Sequence, residues 1–171
     1  MGNFTFLQTY WPDFAQIMAF AERYVYSDPA SSKNKSGLFV ELMVREIMRI
    51  EDIPEPADVK ENNHFTRTKI LKHDGVLPYE VNQWINQVRI TRNNAAHENN
   101  ASAEEALFIL RFIHHIAVWF MQTYGDSSFA AQPFINPEPP KRKINVMPLV
   151  KNQEKKIELK TAAATIAEKE A

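Results

Sequence analysis

The stretch "AEEALFILRFIHHIAVWFMQTYG", residues 103–125, decides the fold. It is the most apolar segment of the chain and is bracketed by helix signals. Ser102, with Glu105 three residues on, makes a capping box at its start, and Gly125 closes it. Its longest unbroken apolar run, "IAVWFM", is far too short to span a bilayer. The segment therefore predicts the core helix of a bundle, and the rest of the chain must supply the helices that cover it.

Working outward, Pro78 opens a strong helix through Val81, Trp84, Ile85 and Val88 that runs into "RNNAAH", residues 92–97. Before it, the polar segment "NNHFTRTKILKHDG" predicts a short helix ending at Gly75. Nearer the start, Pro12 sits in the first turn of a helix carrying Phe14, Ile17, Met18, Phe20, Ala21, Tyr24 and Val25 at helical spacing. "SDP" at 27–29 stops that helix and starts another. The new helix is weakly written in "ASSKNKSG" and strongly afterwards, with Leu38, Leu42, Ile47 and Ile50 on one face and Phe39, Met43 and Met48 beside them. "IEDIPEPAD" breaks it. No segment alternates with period two between hairpin signals, so the predicted class is all-α.

After Gly125 the composition changes. "FAAQPFINPEPPKRKINVMPLV" holds five prolines in 22 residues and predicts an extended arm. The Ala/Lys/Glu-rich stretch that follows has only Ile157 and Ile166 as a thin apolar stripe. The expected organisation is a helical domain over 1–126, a proline-rich basic linker over 127–150 and a terminal helix over 151–171. The last helix is expected to lead into further domains or to pack on a partner.

Composition narrows the function. The chain has no cysteine, which excludes disulfides and thiolate chemistry. The N-terminus lacks the basic and apolar regions of a secretory signal, and a cytoplasmic location is expected. The net charge of −1 is unevenly placed, with 12 Lys/Arg against 17 Asp/Glu in residues 1–140 and 8 against 4 in residues 141–171. So acidic a body does not suit strong non-specific nucleic-acid binding, and any such contact must be local. Neither glycine-rich phosphate motif occurs. His64 and His73 have no cluster of ligands at metal spacing, and no metal or other cofactor is expected.

"RNNAAH" carries the candidate chemistry. Val81, Ile85, Val88, Arg92 and Ala95 follow helical spacing, so Arg92 falls in register with the apolar stripe and needs a partner. Asn82, Asn86, Arg89, Asn93 and His97 form a polar stripe beside it. These residues can be architecture: Arg92 snorkelling, Asn93 bonding a backbone, His97 meeting the helix C-terminal dipole. They can equally be catalytic. Metal-free RNA cleavage needs a base for the ribose 2′-OH, a clamp for the phosphate charge and a group that orients them. Histidine, arginine and asparagine suit those three roles.

The pattern Arg-Asn-x-x-x-His, formed by Arg92, Asn93 and His97 at the end of a core helix, resembles the motif of the HEPN superfamily. That resemblance implies a bundle of four to five helices that dimerises, with the motifs of two subunits facing a shared cleft. In active members the cleft is a metal-independent ribonuclease site. A longer resemblance covers roughly residues 3–135. Asn3, Phe4, Phe6, Leu7, Trp11, Pro12, Ala21, Glu22, Asp28 and Pro29, then Arg89, Asn93, Ala95 and His97, are similar to a HEPN-like domain of type I restriction R subunits and related DEAD/DEAH-box helicase proteins. The chain departs from that pattern by having a single arginine, Arg45, in "ASSKNKSGLFVELMVRE" where the pattern has a pair, and by carrying Arg92.

The leading expectation is an accessory, dimerising N-terminal module of a restriction or helicase-type defence protein, contacting other subunits or RNA or DNA, with no membrane role. In it Arg89, Asn86 and His114 serve binding or interface roles. The alternative is a toxin-like ribonuclease with His97 as acid or base, Arg92 as phosphate clamp and Asn93 as the orienting residue.

Overall fold

In a computed structural model, residues 2–97 and 102–140 are described, with backbone alone for 93–97. The described residues form an all-α bundle: α1 (Pro12–Tyr24), α2 (Pro29–Ile50), α3 (His64–His73), α4 (Tyr79–His97) and α5 (Ala103–Phe120). A 3-10 turn, Thr5–Thr9, precedes α1, and a π-helical turn, Met121–Gly125, extends α5. The predicted terminal helix, 151–171, lies outside the described residues, as does the basic end of the linker.

The helix boundaries follow from local chemistry. Asp28 caps α2 by accepting from the Ser31 amide at 3.0 Å, with Pro29 in the first turn where its missing N–H costs nothing. Asn63 caps α3 by accepting from the Thr66 amide at 3.0 Å. Gly75 ends α3 with φ +74°, a left-handed position that suits glycine, and the Val76 amide then reaches back to Leu71 O at 2.9 Å. Ser102 Oγ accepts from the Glu105 amide at 3.1 Å, as the capping-box spacing predicts.

α2 is the central element, packing on α1, α3, α4 and α5. Its buried stripe is Ser32, Ser36, Phe39, Val40, Met43, Val44, Ile47 and Met48. This corrects the predicted face. Ile50 is exposed and Leu42 half-buried, because the helix is covered on a stripe one position over from the one centred on Leu38 and Leu42. The weakly written first turns are buried because their small residues let α1 come close, with Ser32 Oγ donating to Ala21 O at 2.7 Å. Lys33 is also buried there, its ammonium 2.6 Å from the half-exposed Glu105 carboxylate of α5.

α5 supplies Ala106, Ile109, Leu110, Ile113, Ile116, Ala117 and Phe120 to the core. With its extension it is long and apolar enough to cross a membrane, at a mean hydropathy of 1.3, but half of that window is buried in the bundle. The arm after Gly125 is extended and folds back on the N-terminal segment. Asn3 holds Ile135 through both its amide groups at 2.8 and 2.7 Å, and Tyr26 donates to Pro137 O at 2.8 Å. The compact unit consequently runs to Pro139, beyond the boundary at 126 that composition suggests.

Candidate functional site

Arg92 reaches α2. Its side chain lies across Gly37, where an added Cβ would fall 2.6 Å from Arg92 Cδ, and ends on the Glu41 carboxylate at 2.5 Å. Glycine at 37 is thus a close-approach residue, and Glu41 is the partner that an arginine in apolar register requires. Both side chains of the pair are about a third exposed, which puts the direct electrostatic gain near or below about 1 kcal/mol.

Beside this pair, α2, the start of α3 and α4 enclose a cleft of about 390 Å³. Arg89 and Arg92 come from α4, His64 and Phe65 from α3, and Glu41 from α2, over a floor that includes Val40 and Ile85. Arg89 places its guanidinium carbon 5.6 Å from the Phe65 ring centroid. Its buried Nε has no hydrogen-bond acceptor among the described residues, and the buried His64 Nδ1 likewise has no partner there. Burial holds the His64 imidazole below the usual histidine range. Arg67, Arg92 and Arg89 push the same way, and Glu41 opposes them. The arrangement offers two guanidiniums, a neutral imidazole and one carboxylate, a set that accepts an anion more readily than it binds a metal. Among the described residues no group of three or more His, Asp or Glu side chains could hold a metal ion.

The other residues singled out from sequence lie in different places. Asn86 lines a second, smaller cleft of about 230 Å³ with Asn82, Lys69 and Lys72, sharing Phe65 with the first. His114 is buried on another face, its ring edge-on to Phe4 at 5.9 Å, Phe6 at 6.0 Å and Phe134 at 5.7 Å. It lines neither cleft. The side chains of Asn93 and His97 lie outside the described residues, although the α4 backbone continues through both. So the structure unites Arg89 and Arg92 and adds His64, which the sequence reading weighed only as a metal ligand, with Phe65, Glu41 and Gly37, which it passed over. The overlooked signal was Asn63: as an N-cap it starts α3 at His64 and so fixes where that imidazole enters the bundle.

His114 and His64 both titrate below the ordinary histidine value of 6.5, His114 because of burial and then the neighbouring His115. The unfolded chain therefore takes up these protons first, and stability falls as the pH drops from about 7 through 6.5 toward 5. The carboxylates of Glu46 and Glu105 are held below 4.5, so their losses come at lower pH. His114→Leu is expected to flatten the dependence of the urea midpoint on pH between 5 and 7. An unchanged slope would mean that His114 is not the group responsible.

No curated protein and no solved structure matches the chain. A family model does match, over residues 20–169, and that span covers most of the sequence. The chain belongs to the family described as Domain of unknown function (DUF4145).

Proposed function

We propose that this chain is an accessory, non-cleaving HEPN-like module of a prokaryotic restriction or helicase-type defence protein, which contacts nucleic acid or neighbouring subunits and leaves the chemistry to other parts. The observation that supports this reading is the commitment of Arg92. A phosphate clamp must present its guanidinium to the substrate in the transition state. Here the guanidinium of the Arg-Asn-x-x-x-His pattern lies across Gly37 and is neutralised by Glu41, so it ties α4 to α2. In this reading Arg89, Asn93 and His97 serve contacts at helix or subunit interfaces, and the module pairs with a second copy.

The reading predicts that Arg92→Ala acts on the fold. Loss of the pair and of the stem packed over Gly37 should cost on the order of 1 kcal/mol or shift the oligomeric state, with no change in the fate of added RNA. Denaturant titration and sedimentation read the first two quantities. A variant as stable and as associated as the parent, yet altered in RNA turnover, would overturn the reading.

A further inference from the structure

We propose that the two clefts flanking Phe65 form one groove that holds a short stretch of single-stranded nucleic acid. Phe65 lines both clefts and is exposed at 57%, an unusual degree for a phenylalanine. A ring so placed gives a base a face to stack on, a contact that tolerates any sequence. Arg89 lies against the same ring, with its buried Nε lacking an acceptor among the described residues.

On the far side, Lys69 and Lys72 follow Phe65 at spacings of four and three, so all three share one face of α3. They lie about 6 and 10 Å further along the helix at 1.5 Å per residue. Asn86 faces them from α4 with an amide able to bond a base edge or a phosphate. The order along the groove is thus cation, aromatic, cation, cation.

Charge supports the same occupant. Among the described residues, the lining of the two clefts contains Arg89, Lys69 and Lys72, with no carboxylate beyond Glu41, whose charge is matched by Arg92. Residues 1–140 as a whole are acidic, with 12 Lys/Arg against 17 Asp/Glu, so this concentration of positive charge is local. α3 adds its N-terminus at the same place. The amides of His64 and Phe65, in its first turn, have no carbonyl within the helix to bond. A duplex keeps its bases stacked internally and cannot offer a face to Phe65, so a single strand fits the groove better than a double one. The inference rests on reading the chain as a contact module and names the partner of that contact.

The test is fluorescence anisotropy with the full chain, in EDTA at low salt. The probes are labelled 12-nucleotide single strands of RNA and of DNA, and the duplex of the same sequence. Either single strand should bind at least 10-fold more tightly than the duplex, and the stronger of the two identifies the nucleic acid. Phe65→Ala should weaken single-strand binding roughly 5- to 150-fold, the range for losing one base–aromatic stack. Lys69→Gln with Lys72→Gln should lower the salt slope by about 1.4, or about 0.7 for each phosphate no longer neutralised. Arg23→Gln, an exposed substitution on α1, should leave binding unchanged.

Absence of binding, preference for the duplex, or variants that bind like the parent would overturn the groove. Binding carried by the basic residues 141–143 would show as that last outcome. Cleavage of the bound strand would instead refute the contact-module reading and leave the groove standing.

Discussion

Phe39→Ala is expected to lower the unfolding free energy by about 3–5 kcal/mol, a fifth or more of the roughly 5–15 kcal/mol that a domain commonly has. Phe39 is fully buried on the central helix, and its ring meets Phe14 of α1 edge-on at 5.6 Å. Phe14 in turn lies 6.1 Å from Phe120 of α5, and Phe120 lies 4.2 Å from Trp11. One ring therefore connects three helices through an aromatic cluster, and its removal leaves a cavity that none of them can move to fill alone. Thermal unfolding should show a midpoint lower by on the order of 10 °C. Tyr79→Ala, at a side chain 71% exposed, should change stability by no more than about 0.5 kcal/mol. A Phe39→Ala loss below about 1 kcal/mol would mean that α2 does not pack with this face inward.

The second large effect concerns Lys33 and Glu105, and its sign depends on which partner is removed. Lys33 is 1% exposed, and the hydrogen bond its ammonium makes among the described residues goes to Glu105 at 2.6 Å. Glu105→Ala leaves a buried cation without its counter-charge. Fully buried pairs broken this way lose about 3–5 kcal/mol, and the half-exposed site of Glu105, open to water, brings the expectation to about 1–3 kcal/mol. Lys33→Met removes the charge and keeps most of the volume, so it should be neutral to within about 1 kcal/mol. The double variant should match Lys33→Met and not Glu105→Ala. Chemical denaturation of the three proteins decides this. A Lys33→Met loss exceeding that of Glu105→Ala would show that the pair stabilises the fold by more than it costs to desolvate.

The sequence contained most of the fold in readable form because its helices are punctuated. Pro12, Asp28-Pro29, Ser102 and Gly75 each mark a boundary by backbone chemistry that acts locally, and all four mark boundaries in the structure. What was not legible depends on the approach of another helix. "ASSKNKSG" looks polar by residue type, yet Ser32, Lys33, Ser36 and Gly37 are buried. Ser32 donates to Ala21 O, Lys33 to Glu105 and Ser36 to Ser32 O, groups 4 to 72 positions away in the chain. Ile50 shows the converse, an apolar residue in helical register that no element among the described residues covers.

The candidate site divides in the same way. Arg92 stood out because a charge in an apolar register needs an explanation, and Glu41 supplies it. Arg89 stood out as part of a polar stripe. His64 and Phe65 did not, since a short polar helix with no periodic apolar face gives no sign of which side meets α4. Their importance is set by packing alone, through the ring of Phe65 beneath Arg89.

The most direct test of the central claim, that this is a contact module and not a nuclease, is RNA cleavage by the purified chain in EDTA, beside His97→Ala at matched purity. The account predicts no cleavage by the parent, or equal background from both proteins. Cleavage by the parent that disappears in His97→Ala and leaves 2′,3′-cyclic phosphate ends would contradict it, and would make Arg92 release Glu41 to reach its substrate.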